Sequence, residues 1–238
     1  MPALCGTGGI ERRMLNSYIG IMRTTFVFAA ISLAALTSCQ REPSQTMSGA
    51  DSLRAVNETL TYRRMAEEYL RRDPSSPFNT VPPIPYEGLR WFPPDAGYYF
   101  MSKLHRHEDP ETVVVLGTKG EPRKQLRYGW FTVVLGGNEY RLNVYKFVGE
   151  DIRRHPGLAR NLSVWFTDET TGKETYPVGR YVEIEPEADD PDHLYVVNLN
   201  NAHNPYCAYN PNYSCAIPTR EDRLPVAVRA GEMNYHAD

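Results

Sequence analysis

The sequence gathers little positive charge in one place. Its 26 Lys and Arg are scattered along 238 residues and are outnumbered by 29 Asp and Glu, for a formal net charge of −3. No basic stripe runs through it, which excludes nucleic acid as an expected partner, because phosphate binding needs clustered Lys and Arg. Long apolar runs are missing too. The most hydrophobic stretch, FVFAAISLAAL at residues 26–36, falls well short of the ~20 residues that a spanning helix needs. Cysteine is scarce: Cys5, Cys39, Cys207 and Cys215 are the four in the chain, and their spacing matches no zinc finger. There is no alternation of strand and helix that would build βαβ units, and no internal repeat.

What is present at the amino terminus is an address. Arg23 precedes the apolar run, and Leu36, Thr37, Ser38 and Cys39 follow it. A basic start, a short apolar core and small residues before a cut describe a secretory signal. The cysteine directly after the small residues resembles the bacterial lipoprotein signal, in which the thiol of Cys39 is acylated and becomes the first mature residue. Met22 offers an alternative start, and residues 1–21 show no foldable pattern. Gln40, rather than Asp, favours by analogy the outer membrane facing the periplasm. The expected layout is a signal region at 1–38, a lipid tether at 39–50 and one β-rich domain at 51–238. The acyl chains would hold the protein at a membrane surface without spanning it.

The 16 Tyr and 19 Pro suggest a β-rich fold with many turns. Residues 51–72 read as a helix, with Asp51 as N-cap, apolar stripes through Leu53, Val56 and Leu60 and through Tyr62, Met65 and Tyr69, and Pro74 as the stop. PSSPFNTVPPIPYEGLRWFPPD is too proline-dense for regular structure and is expected to wrap the core through Phe78, Tyr86, Leu89 and Trp91. From Tyr98 onward the period is two. Phe131, Val133 and Leu135 alternate with Trp130, Thr132 and Val134, GGN turns the chain, and Tyr140, Leu142 and Val144 return on one face. Further strands are expected at LSVWF, RYVEIE, LYVVNL and LPVAVRA. The fold class is mainly β: an antiparallel β-barrel or sandwich with an N-terminal helix packed on it.

Two stretches are more specific than ordinary turns: FTDETTGKETYPVGRY at 166–181 and the run from Asn198 to Glu232. Phe166, Asp168, Thr170, Gly172, Glu174, Thr175, Tyr176, Gly179, Arg180 and Tyr181 carry the first pattern. Asn200, Ala202, Asn204, Pro205, Cys207, Ala208, Tyr209 and Asn210 carry the second. Cys215, Pro218, Glu221 and Leu224, then Ala230, Gly231 and Glu232, carry the third. In these positions, and in YEGLRWFPPD, the chain resembles the bacterial domain-of-unknown-function family 1684 across most of residues 51–235. The resemblance implies a fold and a site without an established reaction. Four positions depart from the pattern: Asn198 replaces Asp, His203 replaces Tyr, Ala216 replaces Pro and Asp222 replaces Asn.

Arg180 shares a strand face with Val182 and Ile184, so it points toward the core and needs a partner, because an unpaired buried charge costs several kcal/mol. Asp168, Glu174, Glu221 and Glu232 are the candidates. Either the pair locks the sheet, or Arg180 grips a carboxylate or phosphate at a pocket mouth with its planar fork. The expected ligand-binding set is Asp168, Tyr176, Arg180, Asn200, Asn204, Tyr209, Glu221 and Glu232, taking a small polar or anionic molecule. Two alternatives stand beside it: an envelope hydrolase with Glu221 or Asp168 as general base, and a purely structural lipoprotein. No cofactor and no metal are implied.

Cys207 and Cys215 have four readings. Export and an even count of remaining thiols favour a disulfide between them. A zinc site has only His203 to add locally, a nucleophile would need His203 to fold back as base, and two unlinked thiols are the fourth.

Overall fold

The computed structural model describes residues 48–236. The signal region, Cys39 and nearly all of the tether therefore lie outside the described residues. No helix among the described residues is long and apolar enough to cross a membrane.

Helix α1, Gly49–Arg72, starts two residues earlier than its apolar period suggests. The N-cap is Ser48, whose hydroxyl accepts from the Asp51 N–H at 3.1 Å, while Asp51 sits in the first turn, where a carboxylate suits the helix dipole. Residues 49 and 50, expected in the tether, are thus helical. The helix ends before Pro74, with Asp73 as C-cap.

Seven strands follow: β1 Tyr99–Lys103, β2 His105–Leu116, β3 Pro122–Leu135, β4 Asn138–Phe147, β5 Ser163–Phe166, β6 Arg180–Glu183 and β7 Leu194–Asn198, with a short helix α2, Glu150–Arg154, between β4 and β5. They form two antiparallel sheets, one of five strands in the order β2-β3-β4-β5-β6 and one of two, β1-β7. The arrangement is sandwich-like and not a closed barrel. The β3–β4 hairpin pairs Phe131 with Leu142 and Val133 with Tyr140. Its turn uses Gly136 and Gly137, both at positive φ, the conformation that a two-residue hairpin loop requires.

The main core fills the space between the sheets. Phe131, Val133, Leu142, Val144, Val164, Phe166 and Val182 from the large sheet meet Tyr195 and Val197 from the small one. A second cluster lies under the proline-rich wrap, where Phe78 and Leu70 pack with Tyr209 and Tyr235, and Tyr86 and Leu89 close its rim. Trp91, the fourth expected anchor, lies instead beneath the guanidinium of Arg63 on α1, 4.7 Å from ring to carbon.

One expected strand does not form. Residues 224–230, LPVAVRA, bend at Pro225 and Val226 and join no sheet. Pro225 has no N–H to give a ladder, and the carbonyls of Val228 and Ala230 are taken by the Arg180 side chain instead.

Candidate functional site

Arg180 opens β6 and points inward, as its alternation with Val182 predicts. It is 1% exposed, and its guanidinium lies over the Phe166 ring at 5.2 Å. Nη2 donates to Asp168 Oδ2 at 2.6 Å and to the Val228 carbonyl at 2.8 Å, and Nη1 donates to the carbonyls of Ala230 and Glu232. Only Nε is left without an acceptor. The other oxygen of Asp168 accepts from both the N–H and the hydroxyl of Thr170, each at 2.5 Å, and that hydroxyl lies 3.0 Å from Thr175 Oγ1. Burial pulls the Arg180 pKa down, and the Asp168 charge opposes this.

Glu232 closes the other end. Its Oε2 accepts from Tyr209 OH at 2.6 Å and from the Asn204 N–H at 2.9 Å, while Oε1 accepts from Asn204 Nδ2 at 2.8 Å. Asn204 Nδ2 also donates to the Met233 carbonyl, and its Oδ1 has no partner. Burial raises the Glu232 pKa to about 8, against the pull of these donors and of Arg180. Gly231 makes the approach possible. It has φ +80, and a Cβ there would lie 2.4 Å from the Ala202 carbonyl oxygen.

Asn200 forms a separate latch. Its Oδ1 accepts from the Asp95 N–H and its Nδ2 donates to the Asp95 carbonyl, both at 2.8 Å, which pins the proline-rich wrap to the end of β7. Asn198 explains its own departure from the family pattern. Its Oδ1 accepts from Asn200 N and Nδ2, as a carboxylate would, and its Nδ2 donates to Thr59 of α1 at 3.0 Å.

The eight expected residues therefore divide. Asp168, Arg180, Asn204, Tyr209 and Glu232 lie in one buried polar body, with Asn200 beside it in the latch. The other two are elsewhere. Tyr176 reaches the Cys207 carbonyl at 3.4 Å and its sulfur at 3.8 Å. Glu221 is exposed and pairs with Arg127 on the opposite side of its turn. The residue buried there is the next one, Asp222. Its Oδ1 accepts from Tyr145 OH at 2.7 Å and Asn143 Nδ2 at 2.9 Å, and its Oδ2 accepts from the N–H and hydroxyl of Thr219. The Thr-x-x-Asp spacing of a capping box was the signal that could have selected it. Arg63 was missed as well. It lies on the buried face of α1 with Thr59 four residues away, and it donates to the carbonyls of Phe92 and Asn200.

Cys207 and Cys215 are free thiols in the structure, each half-buried, and not the expected bridge. They are adjacent nonetheless: the Cys207 N–H donates to Cys215 Sγ at 3.3 Å. His203 is not beside them as a base. Its Nδ1 faces Tyr62 OH at 3.4 Å, and burial lowers its pKa. Among the described residues, no group of three or more His, Cys, Asp or Glu comes together in a way that could hold a metal.

The two concavities that stand out are open grooves along α1, one beside Met65 and Tyr69, the other beside Leu60 and Trp91. Neither is lined by Arg180, Asp168 or Glu232.

Comparison with known proteins follows the same lines. No curated protein shows a significant match to the chain. A solution NMR structure of an uncharacterised protein from Haloarcula marismortui is similar, with 28% identity and a TM-score of 0.57 over 78% of this chain and 97% of that one. The sequence profile of the proteins of unknown function named DUF1684 matches residues 85–233, the span that carries the second half of the wrap, both sheets and the buried polar body. The chain belongs to the DUF1684 family.

Proposed function

We propose that this protein is a lipoprotein of the cell envelope, and that the family-typical polar residues around Arg180 act as an internal clamp instead of a ligand grip or a catalytic centre. One observation carries this reading: Asp168, Arg180, Asn204 and Glu232 are bonded to one another's segments with none more than 2% exposed. An arginine that recognises a carboxylate or phosphate must present its fork to solvent before the ligand arrives. Here the fork is occupied by Asp168 and three main-chain carbonyls. A general base needs an oxygen free to take a proton from water or substrate. Both oxygens of Asp168 are occupied, and Glu221 is held in a surface ion pair with Arg127.

The clamp ties strand β6, the 168–175 loop and the 228–232 segment together. It fixes these segments against the main apolar core, in which Phe166, Leu224, Val228 and Ala230 are buried. The membrane tether would come from acylation of Cys39, with the domain held in the periplasm at the outer membrane.

The test joins both parts. Metabolic labelling with a fatty-acid analogue is expected to mark the wild-type protein and not Cys39→Ala, and the variant is expected to leave the membrane fraction. Thermal melting of the purified protein against a panel of small carboxylates and phosphates is expected to show no shift that Arg180→Met abolishes. A folded Arg180→Met protein that loses a ligand-induced shift would return the site to ligand binding.

A further inference from the structure

Cys207 and Cys215 stand apart from the clamp and are not used by it. The loop between them does not need a covalent staple. Asn210 Nδ2 donates to the Pro77 carbonyl at 2.7 Å, and the Asn212 N–H donates back to Asn210 Oδ1 at 2.9 Å. On the far side, Thr118 N donates to the Cys215 carbonyl at 2.9 Å, the Cys215 N–H donates to Thr118 Oγ1 at 3.1 Å, and Arg123 donates to the Ser214 carbonyl at 2.8 Å. The loop is thus fixed while both sulfurs remain thiols. A pair whose bond is not required for its own loop is available for chemistry.

We propose that Cys207 and Cys215 form a thiol–disulfide exchange site, with Cys207 as the attacking sulfur, Cys215 as the resolving sulfur and an external aliphatic disulfide as substrate.

Three features of the geometry support the site, and the third, the Tyr176 hydroxyl beside Cys207, assigns the roles. The sulfurs are neighbours, with Cys215 Sγ held by the Cys207 N–H. Neither residue is fully buried. Tyr176 OH lies 3.8 Å from Cys207 Sγ, and burial raises the Tyr176 pKa, so the phenol keeps its proton and can donate it in a hydrogen bond to a thiolate. The Cys215 thiol pulls the Cys207 pKa down to about 6 and is itself pushed up. An attacking thiol is favoured when its pKa lies near the ambient pH.

The chemistry balances in two steps. The Cys207 thiolate, its proton released to solvent, attacks one sulfur of R–S–S–R. A Cys207–S–S–R bond forms and RS⁻ leaves, taking up a proton. Cys215, deprotonated in turn, attacks Cys207 Sγ. The Cys207–Cys215 bond forms, and the second RS⁻ leaves and is protonated. Two protein thiols are oxidised to one disulfide, and one external disulfide is reduced to two thiols. The bridge expected from export is then one state of the site. Tyr176 is a positioning residue that steadies the thiolate.

This inference does not depend on the clamp or on the lipid anchor. Its test is exchange of the reduced full-length protein with oxidised glutathione, and in a parallel arm with a disulfide-linked peptide, quenched by alkylation and assigned by peptide mapping. Wild type is expected to end as the Cys207–Cys215 bridge without a lasting adduct. Cys215→Ser is expected to accumulate the mixed disulfide on Cys207, and Cys207→Ser to react about ten-fold more slowly or less. Tyr176→Phe is expected to slow the first step several-fold and move the midpoint of its pH profile upward. Reaction with one arm and not the other identifies the substrate as small thiol or peptide. Equal rates for the two serine variants, two lasting adducts on wild type, or a bridge that a glutathione buffer cannot open would each overturn the proposal. Near-ultraviolet circular dichroism of the serine variants confirms that the comparison is made on folded protein.

Discussion

Arg180 and Asp168 meet at 2.6 Å with their side chains 1% and 0% exposed, and among the described residues neither has a second ion-pair partner. Two charges removed from water cost several kcal/mol each, and their mutual attraction offsets this only while both are present. Arg180→Met strands the Asp168 carboxylate, and Asp168→Asn strands the guanidinium. Each single substitution is expected to lower stability by about 3–5 kcal/mol, and the double substitution by clearly less than the sum. Urea unfolding of the three variants completes the cycle. Additive losses would mean that the two groups do not work as a pair.

Glu232 gives the fold a pH dependence with a definite sign. Its folded pKa of about 8 lies above the ordinary value of 4.5. Between those values the folded state holds a proton that the unfolded state has lost. This stabilisation is complete below pH 4.5 and is lost as the pH rises through 8. His203 acts in the opposite sense: burial depresses its pKa below 6.5, so stability falls as the pH drops beneath that value. The two oppose each other between 4.5 and 6.5, which leaves the window from 6.5 to 8 to Glu232. The Cys207 thiol titrates close to the lower edge of that window, so the measurement belongs in a Cys207→Ser, Cys215→Ser background. Stability is expected to fall by about 2 kcal/mol across the window, at about 1.4 kcal/mol per pH unit. Glu232→Gln is expected to flatten the slope. A Glu232→Gln protein with the parent's slope would assign the titration to another group.

Much of this arrangement was legible in the sequence because strand alternation is a local signal. Phe131, Val133 and Leu135 on one side of a Gly-Gly turn, and Arg180 with Val182 on another strand, fix which way each side chain points before any tertiary contact is known. What failed depended on competition between distant groups. Residues 224–230 have the composition of a strand, yet their carbonyls go to Arg180, and the residue that takes them is more than forty positions away. Glu221 and Asp222 are adjacent carboxylates of equal chemistry. Which one is buried depends on where the turn from Thr219 places them against Tyr145 and Asn143. Arg63 belongs to a helix whose apolar stripe gave no hint that a charged residue on its buried side would meet the carbonyls of Phe92 and Asn200.

The Asn200 latch makes a narrower prediction. Asn200→Ala removes both bonds to the Asp95 main chain, leaving the Asp95 carbonyl with the Tyr98 N–H and the Asp95 N–H without its acceptor. A hydrogen bond of this kind contributes about 0.5–1.5 kcal/mol net. The loss is expected to appear locally, as faster amide hydrogen exchange in residues 92–97, while the hairpin of β3 and β4 keeps its protection. Uniform acceleration across the domain would show that Asn200 supports the whole fold and not the wrap alone.

Gly231 and Gly172 separate two reasons for glycine. Both have positive φ, +80 and +75, and an alanine at either must adopt a conformation that costs about 1–2 kcal/mol. At Gly172 a Cβ would meet nothing within 4 Å, so that cost is the whole effect. At Gly231 the added carbon would lie 2.4 Å from the Ala202 carbonyl oxygen and 2.8 Å from Ala202 Cβ. Neither atom can withdraw freely, because the same carbonyl accepts from the Glu232 N–H at 2.7 Å. Relief of the clash would push residues 231–232 away from the 202–204 strip and pull Glu232 from Asn204 and Tyr209. Gly231→Ala is therefore expected to destabilise by at least about 2 kcal/mol more than Gly172→Ala, and to lower the Glu232 pKa as the carboxyl is readmitted to water. Paired urea titrations at pH 6.5 and pH 8 read both effects. Equal losses at the two glycines, with an unchanged pH slope, would show that the close approach at Gly231 does not hold Glu232 in place.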